Sequence, residues 1–360
     1  MDTAIVIGGG QYGLGAAYAL RNQGFRPIVL EAGTEPVGSW PHYYDSLTIF
    51  TPARLSCLPG MPFPARAGHL PHRDEMVAYL RAYAARLDCE IRTGARVATV
   101  HTTTEGYAVT TETGEVLHAP VVVAATGTFG NPNRPEIPGL AAYTGKVLHS
   151  AEYRSPEPFA GQRVVVVGGA NSAMQIAHEL AVAGNARVTL TSRRPIKYTK
   201  LRPPRSRAGW KALETGLLLP IGALIPLHES AVIVDNDDRY RKALDSGVLD
   251  HRDLFTAADG TDIHWADGRA EHVDTVLLAT GYRPAVEYLR PIGALDLRGV
   301  PRQRSGLSTV HPGLAFVGLE GQRSLLSGGI HGVGTDATHV ARRLRRWVAF
   351  TEPAWRRPAA

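Results

Sequence analysis

The apolar residues of this chain are gathered in short runs rather than in long alternating patterns. Residues 4–7 and 28–30 form two such runs near the N-terminus. In the middle of the chain, residues 164–167 form a third, and 188–190 form a fourth that Thr189 interrupts. Runs of this length are typical of strands covered on both faces, as strands are in parallel sheets. A helical stretch separates the two runs of each pair. The pattern therefore predicts an α/β protein with two similar units.

The first pair of runs encloses a glycine-rich turn. Residues 8–13 read G-G-G-Q-Y-G, and the second strand of the pair ends at Glu31, about 20 residues further on. The glycines allow the backbone to approach a pyrophosphate, whose charge is stabilised at a helix N-terminus. A carboxylate at position 31 accepts hydrogen bonds from ribose hydroxyls and repels a 2′-phosphate. We therefore predict that the first unit binds FAD.

The second copy of the turn differs at its end. Residues 168–173 read G-G-A-N-S-A, and the following strand leads into T-S-R-R at 191–194. The guanidinium groups of Arg193 and Arg194 suit a 2′-phosphate, so this unit is predicted to bind NADPH. Ala170 replaces the usual middle glycine, and its methyl group is expected to loosen the coenzyme. Two dinucleotides in one chain indicate hydride transfer from NADPH to a flavin.

A longer repeat supports both fingerprints, because one glycine-rich turn alone is weak evidence. Residues 109–127 and 263–281 each predict a hairpin and then a buried strand that ends in Ala-Thr-Gly. Each copy follows its own fingerprint, so the repeated unit is a whole domain. The predicted fold class is α/β, with two Rossmann-like dinucleotide-binding domains. The NADPH domain (154–274) is expected to be inserted into the FAD domain (1–153 and 275–360).

Composition changes this picture little. The 360 residues are 44% hydrophobic and 20% charged, which is ordinary for a globular protein. Cys57 and Cys89 form no C-x-x-C pair, which argues against a redox-active dithiol and favours a cytoplasmic location. The N-terminus shows no signal peptide, and the most apolar stretch, 215–227, is too short and too proline-broken to span a bilayer.

The net charge of +6 raises the question of a nucleic-acid partner. The basic residues are not interleaved with aromatic residues in any recognisable nucleic-acid motif, so no such partner is predicted. The densest basic run begins at Arg193, where a positive field would steer an anionic coenzyme. No metal site is predicted either, because His69 and His72 have no third ligand nearby.

Residues 143–153, Y-T-G-K-V-L-H-S-A-E-Y, carry a family resemblance. They resemble the F-x-G-x-x-x-H-x-x-x-(F/Y/W) signature of class B flavin-dependent monooxygenases. Further matches are G-S-W at 38–40, which is similar to the family's G-G-x-W, the segment 70–80, and both Ala-Thr-Gly ends. The resemblance covers nearly the whole chain, and the length is similar to that of the small bacterial members, which oxidise sulfides and sometimes ketones.

This resemblance implies a function. The family's enzymes use FAD and NADPH, with NADH acceptance left open, and pass one oxygen atom of O₂ to a small-molecule substrate through a C4a-(hydro)peroxyflavin. In this family the cofactor itself performs the chemical steps, so the protein needs no catalytic nucleophile. This agrees with the absence of a convincing Ser-His-Asp arrangement. The signature closes with Tyr153, followed by Arg154 and Ser155 rather than by W-P or W-D. That favours oxidation of a soft nucleophile, a sulfide or an amine.

Other functions remain open at this point. A flavin reductase or NADPH oxidase would consume the same coenzyme without inserting oxygen, and Baeyer–Villiger oxidation of ketones occurs in the same family. A flavoprotein that only binds or senses is hard to reconcile with Arg193 and Arg194, since a sensor needs no second coenzyme site. Whether the chain forms a homodimer is also open.

Two catalytic candidates follow from the resemblance. Phe50 occupies the place of an asparagine that helps to hold the hydroperoxide in eukaryotic-type members, and a phenyl ring cannot donate a hydrogen bond. His149 belongs to the signature and is interpreted as an interdomain hinge or structural residue in preference to a general base. The cofactor-binding candidates are Gly8, Gly10, Gln11, Tyr12, Gly13, Glu31, Trp40, Val97, Thr126, Gly127, Gly168, Asn171, Ser172, Gln175, Arg193, Arg194, Thr280 and Gly281.

Overall fold

The computed structural model describes residues 1–200, 204, 206–219 and 232–351. The strands are β1 (Thr3–Ile7), β2 (Arg26–Leu30), β3 (Glu90–Arg92), β4 (Val97–Thr103), β5 (Gly106–Thr111), β6 (Val116–Ala119), β7 (Val121–Ala124), β8 (Lys146–His149), β9 (Arg163–Val167), β10 (Arg187–Ser192), β11 (Lys197–Thr199), β12 (Val232–Val234), β13 (Asp250–Asp253), β14 (Ala257–Asp259), β15 (Asp262–His264), β16 (Ala270–His272), β17 (Thr275–Leu278), β18 (Gln303–Arg304), β19 (Leu307–Ser308) and β20 (Leu314–Phe316). The α-helices are α1 (Gln11–Arg21), α2 (Arg73–Ala85), α3 (Asn171–Val182), α4 (Arg207–Leu217), α5 (Arg239–Asp245) and α6 (Gly332–Thr351).

The first sheet has the strand order β18-β19-β20-β7-β1-β2-β3. Its strands from β20 to β3 are parallel, and Ile5 of β1 lies opposite Ile28 of β2 and Val122 of β7. The central strands are buried on both faces, as the unbroken apolar runs predict. Helices α1 and α6 pack together on one face. The chain therefore returns to its first sheet through β18–β20 and α6.

The second sheet repeats this plan with the order β13-β10-β9-β17-β8, and all its pairings are parallel. Helix α3 connects β9 to β10 and contributes buried apolar residues to the core of this half. Because the second sheet is built from residues between the two parts of the first, the predicted insertion of one domain into the other is confirmed.

The positions of two strands differ from the predicted domain boundaries. Strand β8 lies before residue 154 and strand β17 lies after residue 274, yet both are hydrogen-bonded into the second sheet. The predicted range 154–274 thus leaves out two of the five strands of that sheet. As a packing unit, the second half begins at β8 and extends through β17. A boundary drawn from linker composition alone misses this pairing.

Two small antiparallel sheets confirm the predicted hairpins. Strands β4-β5-β6 precede β7, and β14-β15-β16 precede β17, so each three-stranded unit leads into a strand ending in Ala-Thr-Gly. The turn at Asp267-Gly268 places Gly268 at φ +83°, a value that suits glycine. Within the described part of the chain, no helix is long and apolar enough to cross a membrane. Residues 220–227 of the apolar stretch lie outside the described residues.

Candidate functional site

A cavity of about 710 Å³ opens at the carboxyl ends of β1, β2 and β7. Ligands of open α/β sheets bind at this edge. The predicted cofactor-binding residues that line it are Gly8, Gly10, Gln11, Tyr12, Glu31, Trp40, Val97, Thr126 and Gly127. Gly13 lies beneath them, where a Cβ would come within 1.7 Å of the Gly8 carbonyl oxygen. Only glycine allows α1 to start this close to β1.

The N-terminus of α1 presents backbone donors to the cavity. The helix begins after Gly10 without a side-chain cap. By contrast, α2 begins with a capping box in which His72 and Glu75 satisfy the backbone donors. The first-turn N–H groups of an uncapped helix suit an anionic ligand, because they add to the positive end of the helix dipole. A pyrophosphate is such a ligand.

Two backbone N–H groups hold the Glu31 carboxylate at the cavity wall. The Gly9 N–H donates to Oε2 at 2.6 Å, and the Gly33 N–H donates to Oε1 at 2.7 Å. Charge-assisted hydrogen bonds of this kind are about twice as strong as neutral ones. Each carboxylate oxygen can accept a second hydrogen bond. Glu31 is therefore oriented as an acceptor before any ligand arrives.

Aromatic side chains tie this turn to distant segments of the first half. The Trp40 indole N–H donates to the Gln11 side-chain oxygen at 2.8 Å. The Tyr12 hydroxyl donates to the carbonyl oxygen of Gly328. Burial raises the pKa of Tyr12 to about 12, so the hydroxyl remains a donor at neutral pH. The C-terminal glycine-rich segment, residues 327–334, is thereby held beside the cavity.

The two Ala-Thr-Gly ends belong to a double connection between the halves. Segments 127–133 and 281–285 run antiparallel and exchange backbone hydrogen bonds. The Thr126 hydroxyl donates to a carbonyl of the second segment at 2.6 Å, and the Thr280 hydroxyl donates to a carbonyl of the first. Each threonine therefore fastens its own strand end to the other connection. Thr126 lines the cavity, whereas Thr280 does not.

The second fingerprint forms the same turn on the second sheet. Gly168 has φ +155°, and a Cβ there would lie 2.3 Å from the Ala279 carbonyl oxygen. Helix α3 begins after Ala170 and, like α1, has no side-chain cap. The Asn171 side-chain oxygen accepts the Val234 N–H at 2.9 Å, so this amide holds β12 in place. The helix N-terminus itself offers the donors for a second anion.

The first turns of α3 contact the first half directly. The Tyr44 hydroxyl donates to the Gln175 side-chain oxygen, and the Gln175 amide donates to the Thr48 carbonyl oxygen at 3.3 Å. Ser172 lies in the same first turn of the helix. The N-terminus of α3 is therefore located at the junction between the two halves.

Arg193 and Arg194 follow β10 and are exposed. They lie on the same sheet edge as the second glycine turn, since the Gly168 N–H donates to the Thr191 carbonyl oxygen at 2.9 Å. The Ser192 hydroxyl donates to the Arg194 carbonyl oxygen at 2.7 Å, which shapes the turn. The fold thus places two cationic side chains at the edge where the end of a dinucleotide would lie.

His149 is completely buried at the end of β8. Its Nδ1 accepts the Ala151 N–H at 3.1 Å, and its Nε2 lies 3.0 Å from the Gly281 carbonyl oxygen, which requires the proton on Nε2. Burial lowers the pKa of His149 and favours this neutral form. Its ring also meets Tyr282 edge-on, with centroids 5.0 Å apart. These contacts support the structural role, and the imidazole does not line the cavity.

Phe50 is 39% exposed and does not line the 710 Å³ cavity. It follows Ile49, whose N–H donates to the Pro71 carbonyl oxygen at 2.8 Å. Its loop is the one that Gln175 contacts at Thr48. Phe50 is therefore placed near the junction of the halves, and its effect on the reaction stays a prediction.

Several residues that line the cavity were missed from the sequence. They are the aromatic residues Tyr43, Phe129 and Tyr288, and the charged pair Arg96 and Glu112. Phe129 could have been predicted as a cavity residue from the sequence. It lies two positions after Ala-Thr-Gly, as an aromatic residue in a turn of small and polar residues. Arg96 and Glu112 had none, since only the pairing of their hairpin brings them to the cavity.

The histidines first considered as metal ligands have other contacts. His69 Nε2 lies 2.9 Å from the Glu75 carboxylate, and His72 caps α2. Among the described residues, no group of three or more histidine, cysteine, aspartate or glutamate side chains could hold a metal ion.

Comparisons with known proteins identify the family of this chain. A family model described as pyridine nucleotide-disulphide oxidoreductase matches residues 5–208. The indole-3-pyruvate monooxygenase YUCCA1 of Oryza sativa subsp. japonica is 31% identical, over 94% of this chain and 90% of its own length. The uncharacterized oxidoreductase CzcO of Bacillus subtilis (strain 168) is 30% identical, over 96% of this chain and 99% of its own.

A solved structure extends the likeness to three dimensions. The flavin-containing monooxygenase from Stenotrophomonas maltophilia superposes with a TM-score of 0.82 at 31% identity, covering 96% of this chain and 99% of that one. The two chains therefore share one architecture over the part that superposes.

Proposed function

Because the chain belongs to the pyridine nucleotide-disulphide oxidoreductase family and to its class B flavin-dependent monooxygenases, we propose that it inserts one oxygen atom of O₂ into a sulfide or an amine. The chain is an oxidoreductase that uses FAD and NADPH. The observation that carries the proposal is the pair of uncapped fingerprint helices, one beside a fixed carboxylate and one beside two arginines.

The first cavity fits FAD. Its glycine turn leaves room where side chains would clash, and the N-terminus of α1 supplies donors for a pyrophosphate. The Glu31 carboxylate, held by Gly9 and Gly33, would accept hydrogen bonds from ribose hydroxyls. A bound FAD would supply the redox chemistry at this site, that is, the acceptance of a hydride from NADPH and the activation of O₂.

The chain's own residues bind and orient these groups. Tyr12 keeps the C-terminal glycine-rich segment beside the cavity through its hydroxyl. Gln175 and Tyr44 join the coenzyme half to the flavin half where α3 begins. Arg193 and Arg194 would contact the 2′-phosphate of NADPH. The double connection between the halves, with His149 packed against it, holds the two sites in a fixed relation.

The preference for a soft heteroatom rests on the end of the signature motif. Tyr153 is buried, and its hydroxyl donates to the Glu179 carboxylate at 2.8 Å. Arg154 donates to the carbonyl oxygens of Tyr43 and Pro41, so it holds a loop at the cavity. This position is therefore occupied by a structural arginine, where dedicated Baeyer–Villiger enzymes carry a different motif.

Isotope incorporation tests the proposal. The holoenzyme, NADPH and ¹⁸O₂ are incubated with methyl phenyl sulfide, and in a parallel arm with a cyclic ketone. We expect ¹⁸O in the sulfoxide and little lactone from the ketone. Recovery of all consumed O₂ as hydrogen peroxide would establish the oxidase alternative, which the lack of a donor on Phe50 favours. Lactone as the main product would establish Baeyer–Villiger oxidation.

A further inference from the structure

A cationic groove lies on α6, away from both glycine fingerprints. It encloses about 490 Å³ and is lined by Arg323, Gly334, Thr335, Thr338, His339, Arg342, Arg343 and Arg346. A second groove, of about 440 Å³, also contains arginines, but its lining includes the Glu287 carboxylate, which is paired with Arg290. The α6 groove has no acidic residue in its lining. Among its arginines, Arg323 lies within ion-pair distance of the Asp336 carboxylate, which is not part of the lining.

The spacing of these residues is unfavourable for a helix on its own. Arg342 and Arg346 are four residues apart, and Arg343 and Arg346 are three apart, which puts like charges on neighbouring turns of one face. Such like-charge pairs destabilise a helix. The helix dipole offers little compensation, because its effect is confined to the last turn and Arg346 lies before that turn of α6.

Arg345, on the same segment of α6, has structural partners in the first half. Arg345 does not line the groove: it donates to the Asp2 carboxylate at 2.7 Å and lies over the Phe25 ring. Within the described part of the chain, Arg342, Arg343 and Arg346 form no ion pair. Three guanidinium groups are thus directed to the groove side without a carboxylate.

The far wall of the groove is built by a different segment. Arg323 donates to the Thr335 carbonyl oxygen at 3.1 Å, and its guanidinium lies 3.5 Å from the Asp336 carboxylate, which is almost fully buried. His339 lines the groove together with Arg323 and Arg343, and burial and the charges of these two arginines lower the pKa of His339. One wall of the groove, at Arg323, is therefore held in place, whereas Arg342, Arg343 and Arg346 are exposed side chains on the other wall.

We propose that this groove binds a small anion that carries two or more phosphate groups. Its volume lies in the range of small-ligand pockets. Guanidinium groups bind phosphate oxygens in a bidentate manner. The Thr335 and Thr338 hydroxyls donate to backbone carbonyl oxygens, so the arginines supply the charge-assisted donors of the groove. A bilayer fits less well, because the apolar face of α6 is buried against α1 and cannot insert. The site is independent of the proposed monooxygenase reaction.

Calorimetric titration of the holoenzyme with sodium tripolyphosphate tests this site. Saturating NADP⁺ is present, so that the coenzyme site is filled, and the salt is kept at about 0.15 M to limit unspecific attraction. We expect one tripolyphosphate per chain, bound about tenfold or more weakly by Arg342→Gln/Arg346→Gln. The matched control is Arg283→Gln/Arg298→Gln in the second groove, which removes the same charge and should retain wild-type affinity.

Several results would overturn the proposal. Absence of binding, or an equal loss in both double variants, would show that the groove is not a site. Vesicles separate a free anion from a lipid headgroup: we expect no cosedimentation with phosphatidylglycerol or phosphatidylcholine. Cosedimentation with phosphatidylglycerol alone that Arg342→Gln/Arg346→Gln removes would replace the small anion with a membrane. Thermal unfolding checks each variant, and Arg346→Gln alone serves if the double variant does not fold.

Discussion

The two halves of this molecule share one strand-turn-helix plan but present their charged groups differently. In the first half, Glu31 is 7% exposed, and both carboxylate oxygens already accept backbone hydrogen bonds. In the second half, Arg193 and Arg194 are exposed. A buried, oriented acceptor needs no ordering when a ligand binds, whereas an exposed arginine loses side-chain freedom. The difference suits a cofactor that stays bound and a coenzyme that exchanges in each turnover.

The largest expected effect comes from Glu31→Lys, which replaces the buried carboxylate that is already oriented in the first half. The substitution removes a carboxylate held by two charge-assisted hydrogen bonds, each of which contributes about 1.5–3 kcal/mol. We expect most FAD to be lost on purification, measured as flavin absorbance per protein. The matched control is Glu105→Lys, an exposed position on a hairpin turn. Full flavin retention in Glu31→Lys would remove the ribose assignment.

The exposed arginines of the second half are tested by Arg193→Ala and Arg194→Ala. A guanidinium–phosphate contact contributes about 1.5–3 kcal/mol, or roughly 10- to 150-fold in preference. Since both side chains are exposed, we expect the NADPH/NADH ratio of kcat/KM to fall by about tenfold. Arg187→Ala, an exposed arginine at the start of β10, should leave the ratio unchanged. Unchanged ratios in both test variants would show that the 2′-phosphate binds elsewhere.

The junction between the halves is expected to make stability depend on pH. Because burial lowers the pKa of His149 in the folded state, the unfolded chain takes up a proton below about pH 6.5 that the folded chain does not. The stabilisation is therefore present above that pH and is lost as the pH falls through it.

The variant His149→Gln tests whether His149 causes this pH dependence of stability. A glutamine amide can still donate to Gly281 and accept from Ala151, but it does not titrate. Tm measured from pH 7 to pH 5 should fall less in this variant than in the wild type. His101→Gln, an exposed position on β4, should follow the wild type. A wild-type slope in His149→Gln would show that other groups set the pH dependence.

The smallest expected effect belongs to Phe50→Asn. If the missing hydrogen-bond donor at this position limits oxygen transfer, the asparagine should lower the fraction of consumed NADPH that is recovered as hydrogen peroxide. Peroxide and NADPH are measured in the same reaction with a test sulfide. Phe350→Asn is the matched control, because that phenyl group is 81% exposed at the end of α6. An equal peroxide fraction in wild type and Phe50→Asn would show that Phe50 does not control coupling.

The parts of the fold that depend on local chain chemistry could be predicted from the sequence. Unbroken apolar runs specify strands buried on both faces, and the glycines at 8–13 specify a turn that no larger residue allows. The hairpins before β7 and β17 and the acidic end of β2 were visible for the same reason. Each feature lies within about 30 residues of chain, the span of one strand-helix-strand unit.

Long-range pairing decided the rest, because it joins segments that no local pattern connects. Strands β8 and β17 belong to the second sheet through hydrogen bonds across the predicted boundaries. Tyr12 finds its acceptor at Gly328, and His149 becomes a fixed neutral residue only beside Gly281. The α6 groove forms because the fold brings Arg323 next to α6. From the sequence alone, α6 is recognisable only as a basic helix. Sequence determined which residues could bind a dinucleotide, and packing determined which of them share one cavity.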